Sequence, residues 1–233
     1  MRKIFHSGLD QVMEQVVEMT GLVNASMAQA TTALLNADLS LAESVITIDE
    51  DIAELRKEID ASAIQMMALQ QPVATDLRTL VTAVQMTSLI ERMGDLARHV
   101  AKITRLRYPD SAVPTELHGL LTQMGEQAVA IVARAGEIIS TSDAEAALTL
   151  EQDDDAMDDL QRDMLSLILG EDWPHGREAA VDLALLARYY ERYADHAVSV
   201  AGRVAYLVTG EWIDEAHTDH EDIEDRMQTA TLQ

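Results

Sequence analysis

Apolar residues recur along most of this chain at the three- and four-residue intervals that bury one side of a helix. The run Met86, Leu89, Ile90, Met93, Leu96, Val100 and Ile103 is the clearest case. It predicts a helix from about Thr75 to Leu106, ending before Pro109. Two more helices are predicted ahead of it. The first covers roughly Gly8 to Asn36. The second follows an N-cap supplied by Asp38 or Ser40, whose side-chain oxygens suit the free amides of a first turn. It runs to about Gln70, where Pro72 interrupts the chain. With one Phe and four Pro, strand formers and turn punctuators are scarce.

The stretch "YPDSAVPTE" at 108–116 holds two of the four prolines and no periodicity, and reads as a linker. Beyond it the plan repeats. Helices are expected from about Thr115 to Ser140, from Ala144 to Leu169 and, after the loop "GEDWPHGRE", from Glu178 to Thr209. Met19 matches Met124, Asp38 matches Asp143 and Asp49 matches Asp154, each at an offset of 105, while Glu91 and Glu191 lie 100 apart. The second half is therefore shorter between its second and third helices, around Trp173 and Pro174.

The expected fold is all-α: two tandem homologous three-helix bundles, residues 1–108 and 115–210, with long antiparallel helices, an elongated outline and pseudo-twofold or tandem character. Residues 211–233, rich in Asp, Glu and His, read as an acidic flexible tail.

Charge narrows the functions. Lys and Arg total 17 against 41 Asp and Glu, a formal net charge of −24. Such a field repels nucleic-acid phosphates and anionic membrane surfaces, so neither is an expected partner. The segment "MRKIFHSGLD" has no apolar stretch behind its basic residues, so it is not a signal peptide. No run approaches the ~18 apolar residues of a membrane span, and a soluble protein is expected. Without cysteine there is neither a disulfide nor a thiolate metal site. Two meanings of the acidity stay open: solubility, or cation binding by clustered carboxylates.

The acids are not scattered. "ERMGD" at 91–95 and "ERYAD" at 191–195 both carry Glu-Arg-x-x-Asp. Glu91 with Asp95, and Glu191 with Asp195, lie one turn apart on one helix stripe. Like charges at that spacing cost a helix ~0.2–0.5 kcal/mol. On a helical wheel both pairs point away from the main apolar stripe. Asp49 and Asp154 stand at matched points of each second helix, and Asp158 makes a further acid pair with Asp154. Two such pairs on adjacent helices would gather about four carboxylates, a ligand set for Mg²⁺, Mn²⁺, Fe or Zn²⁺. The first repeat is poorer, because Ala53 stands where the second has Asp158. Arg92 and Arg192 repeat too, and are expected to bridge to neighbouring helices. Arg78 is expected in a surface pair, and His196 on the apolar side. His217 and His220 lie in the acidic tail.

The doubled Glu-Arg-x-x-Asp, the Asp49 and Asp154 positions and "QPVATDLRTL" at 71–80 resemble the PhoU family of phosphate-signalling regulators, over roughly residues 5–210. The resemblance implies two three-helix bundles and a non-enzymatic, cytoplasmic negative regulator of the phosphate-starvation response. It implies coupling between a phosphate ABC transporter with its ATPase and a membrane sensor histidine kinase, and admits a homodimer. It also implies metal ions at Glu91 with Asp95, Glu191 with Asp195, and Asp154 with Asp158. A helical scaffold with merely solvated acids is the alternative. A carboxylate-bridged di-metal enzyme is disfavoured, since the chain lacks inward Glu-x-x-His pairs, a P-loop and a dinucleotide fingerprint.

Overall fold

The computed structural model describes residues 2–211, nearly all of them helical. Helix α1 spans Arg2–Asn36, α2 Leu39–Gln70 and α3 Ala74–Arg107. A 3-10 turn at Thr115–Leu117 leads into α4, His118–Thr141, followed by α5, Ala144–Ile168, and α6, Gly176–Thr209. The predicted acidic tail, with His217 and His220, lies outside the described residues apart from Glu211. Among the described residues, no helix is long and apolar enough to cross a membrane.

Local chemistry sets the ends. The Asp38 carboxylate accepts the Leu41 amide at 3.0 Å, and its repeat mate Asp143 accepts the Ala146 amide at 2.9 Å. Gln71, Ser142 and Gly210 turn the chain through the left-handed region after α2, α4 and α6. Helix α1 begins at Arg2, well before the predicted Gly8. Phe5 and Leu9 draw that extra turn in by packing with Ala63 and Leu80 at one end of the first bundle.

Helix α2 packs on α1 and α3, and α5 packs on α4 and α6. Helices α1, α3, α6 and α4 also touch in a closed ring between the two bundles. One apolar core consequently runs through both halves, from Val16 and Met27 to Tyr193 and Val204.

The halves are related by a pseudo-twofold. A methyl added at Gly125 would meet Thr31, and one added at Gly136 would meet Thr20. At the repeat offset, Thr20 is the mate of Gly125 and Thr31 the mate of Gly136. Reciprocal contacts of this kind mark a twofold relation, not a translation. Two tyrosines fasten the halves across it. Tyr190 shares a 2.7 Å hydrogen bond with Thr31, and the Tyr193 hydroxyl donates to the Val23 carbonyl at 2.9 Å.

This ring corrects the helical wheel. Leu89 and Leu96 are only half-buried, whereas Ile90, Gly94 and Ala97, on the flank nearer the acids, are fully buried. Helix α3 contacts α1, α2 and α6 together, so a single stripe does not describe its burial. The acid pairs border the seam with the outer helix of their own bundle; Glu191 is only 8% exposed, while the Asp95 side chain stays 42% exposed.

Candidate functional site

Two clusters of carboxylates form, one per bundle. In the first, Asp49 from α2 faces Glu91 and Asp95 from α3. Each acid has a guanidinium partner. Arg98 Nε lies 3.1 Å from Asp49 Oδ2, and Arg98 also pairs with Asp95. Arg56 pairs with Glu91 and lies 3.4 Å from Asp60, which in turn accepts the Thr87 hydroxyl at 3.0 Å. Burial raises the Asp49 carboxyl above its usual range, and the positive charge of Arg98 opposes that rise.

In the second cluster, Asp154 from α5 stands near Glu191 and Asp195 from α6 and near Asp158 on its own helix. Arg188 pairs with Glu191 Oε1. Glu191 Oε2 and Asp154 Oδ1 are both buried without a hydrogen-bond partner. Burial, then the charges of Asp195, Asp158, Glu191 and Asp155, push Asp154 up to about 7. Burial and Asp195 also raise Glu191.

The difference between the clusters is written in two positions. Arg56 matches Gln161, and Arg98 matches Val198. Asp158, absent from the first repeat as Ala53, adds a carboxylate where the arginines are missing. Among the described residues, no three His, Asp or Glu side chains already converge as a closed ligand set. The second cluster is thus a concentration of charge with two unsatisfied buried oxygens. Such oxygens are costly unless something positive or a proton meets them. A hard, oxygen-seeking cation fits that donor set.

Arg92 and Arg192 do not bridge to neighbouring helices as expected. Neither makes an ion pair or hydrogen bond among the described residues, and both lie close enough to His196 to disfavour its charged form. His196 is buried, as its place on the wheel predicts; burial and those arginines hold it down at about 4. Arg78 lies over the Tyr206 ring, 5.9 Å from its centre, a cation–π placement and not the surface ion pair expected of it.

A family model described as the PhoU domain matches this chain twice, over residues 16–104 and 121–204. The chain belongs to the PhoU family. It is 48% identical over 210 residues to the phosphate-specific transport system accessory protein PhoU homolog 2 of Mycobacterium tuberculosis, an alignment covering 90% of this chain and 99% of that protein. A Rhizobium meliloti homologue is 29% identical over 88% of this chain and 87% of its own length. The crystal structure of the phosphate transport system regulatory protein PhoU from Streptococcus pneumoniae superposes with a TM-score of 0.82 at 25% identity, covering 90% of this chain and 99% of that one. PhoU from Pseudomonas aeruginosa superposes at 0.78 with 29% identity, over 89% and 100%. The doubled family match coincides with the two bundles, so both acid clusters lie inside family domains.

Sequence reasoning named the seven acids but overlooked Arg56, Arg98 and Arg188, which pair with acids in these clusters. The signal was available. Comparing charge at matched positions exposes Arg56 against Gln161 and Arg98 against Val198.

Proposed function

We propose that the chain is a non-enzymatic regulatory adaptor of phosphate uptake that binds a divalent or trivalent metal ion (Mg²⁺, Mn²⁺, Fe or Zn²⁺) with paired carboxylates. Its cytoplasmic role is to repress the phosphate-starvation response by coupling a phosphate ABC transporter to a sensor histidine kinase. The regulatory part is supported by full-length likeness to proteins named as accessory or regulatory components of phosphate transport.

The metal part is supported by one observation, the unpartnered buried oxygens of Asp154 and Glu191 beside Asp158 and Asp195. A cation there would draw the four carboxylates together and offset the repulsion of the metal-free cluster. The acids lie on two packed helices, α5 and α6, so binding would alter the charge of the seam without remaking the fold.

The test is genetic and chemical together. Deleting the gene in its host should raise expression of phosphate-scavenging genes at high phosphate. Wild type should restore repression, and the Asp154→Asn, Glu191→Gln double variant should not. Unchanged expression in the deletion strain would sink the regulatory reading. Repression restored in full by a double variant shown to lack metal would detach the metal from it.

A further inference from the structure

We infer that the acidic segment 212–233 folds back along the contact between α3 and α6 and pairs there with Arg78, Arg92 and Arg192. Neither acid cluster takes part.

Arg56, Arg98, Arg107, Arg162 and Arg188 all sit in ion pairs. Arg78, Arg92 and Arg192 sit in none among the described residues, in a chain that carries 41 Asp and Glu. Arg92 is exposed and the other two are half-buried. Arg78 Nε is buried without a hydrogen-bond partner. A guanidinium so placed has given up water and gained no carboxylate in return.

The three arginines follow one line. Arg107 meets Asp182, His99 meets Tyr189 with ring centres 5.2 Å apart, and Arg78 meets Tyr206 and Gly210. So α3 and α6 run antiparallel, in a register that sets position 92 opposite 196 and 96 opposite 192. His196 feels both arginine charges, as that register requires. Arg92 and Arg192 are repeat mates and therefore flank the pseudo-twofold. Arg78 stands about 21 Å along α3 from Arg92.

The acidic segment leaves α6 at the Arg78 end of this line. Gly210 turns the chain out of α6 through the left-handed region, and the Arg78 guanidinium rests against it where no side chain would fit. Residues 212–233 hold seven acids and one arginine, with five of the acids within 219–225. Those five stand nine to fifteen residues beyond Gly210, an extended reach of up to about 30–50 Å, enough to arrive at Arg92 and Arg192. In a chain of net charge −24, arginines without acid partners are where an acidic segment is drawn. Their planar forks match carboxylates in geometry. The segment lies beyond residue 204, where the family match ends, so the contact is an addition to the family domain. Docked there, it covers arginines that an acidic partner would otherwise use, and such a partner has to displace it.

The chain has no cysteine, so Thr218→Cys gives the full chain a single thiol for a nitroxide label. Amide signals of the nitrogen-15 protein should broaden in α3 and α6 around Arg78, Arg92 and Arg192. They should recover in 1 M salt, where charges act over only about 3 Å. Arg92→Gln with Arg192→Gln should abolish the broadening near both positions. Neutralising the segment instead (Asp219→Asn, Glu221→Gln, Asp222→Asn, Glu224→Gln, Asp225→Asn) should do the same. That variant changes no described residue, so it decides the matter even if the arginine variant fails to fold. No broadening, or broadening confined to other faces, overturns the inference. Broadening that survives salt or the substitutions overturns its electrostatic basis. When spin-labelled protein is mixed with nitrogen-15 protein that lacks the label, the α3–α6 signals should stay sharp. Broadening in that mixture as strong as in the singly labelled sample would make a second copy's segment the occupant and overturn the fold-back.

Discussion

Asp154 is held among four like charges, and a metal bound as proposed would have to displace its proton. The folded chain keeps that proton up to about pH 7, while an unfolded chain releases it near 3.8. Across this window the folded state binds more protons, so stability of the metal-free protein falls as pH rises through it. Metal affinity runs the other way and should weaken about tenfold for each pH unit below 7 if one proton is displaced. Titration calorimetry with Mn²⁺ at pH 6, 7 and 8 checks this, and an affinity independent of pH would contradict it. His196 has the opposite sign. Its folded value near 4 lies below the ordinary 6.5, so the folded state binds fewer protons between them and stability falls as pH drops. Replacing His196 with Leu, the residue its repeat mate Leu96 already carries, should flatten the urea midpoint between pH 6.5 and 4. An unaltered slope would show that His196 does not titrate there. Both groups were named from sequence, Asp154 as a ligand and His196 as inward-facing. Their environments were not legible, because they depend on Arg92 from the other bundle and on packing between α5 and α6.

Helices were the most legible level, because length, caps and periodicity are local. Asp38 and Asp143 announce α2 and α5 and do cap them. What sequence could not supply was the side on which each helix meets the other bundle. Periodicity counts apolar positions, while α3 and α6 also bury Gly94, Ala194 and Thr87 where helices approach closely. The α1–α4 crossing shows how specific that approach is. A Cβ at Gly125 would lie 2.6 Å from Thr31 Cγ2, and Thr31 is held by Tyr190 and by the Met27 carbonyl. Gly125→Ala should therefore destabilise the fold by ~1–3 kcal/mol through overpacking. In the pseudo-twofold counterpart of that contact, Thr20 against Gly136, the nearest atom to an added Cβ is at 3.6 Å, an ordinary contact. Gly136→Ala should be neutral or stabilising by ~0.5–1 kcal/mol, the helix-propensity gain. Urea midpoints of the two variants, measured side by side, decide it. Equal effects would mean that the crossing is looser than the Thr31 contact implies.

At the scale of the whole molecule, a repeat of two similar bundles invites the idea of two independent domains, and the shared core argues against it. Independent domains bury their apolar surface separately and meet through modest interfaces. Here the ring of α1, α3, α6 and α4 places each bundle's inner helices inside the other's core. Tyr190 and Tyr193, both fully buried, put their hydroxyls on Thr31 and Val23 of the opposite bundle. Arg107 adds a polar clasp at one end of the α3–α6 contact, with its Nε 2.5 Å from buried Asp182. Removing one bundle would strip the other of these partners and expose an apolar face to water. Metal-free protein should accordingly unfold in one cooperative transition, with calorimetric and van't Hoff enthalpies equal, despite its length. Tyr190→Phe, which deletes a single cross-bundle hydrogen bond, should lower stability by ~0.5–1.5 kcal/mol and leave the transition single. Two resolved transitions in the wild type would show that the bundles fold apart. In that case metal binding at α5–α6 could be felt only locally. With one transition, whatever stabilises the second cluster stabilises the packing of α3 and α1 as well, and an ion bound there as proposed would be felt in both repeats.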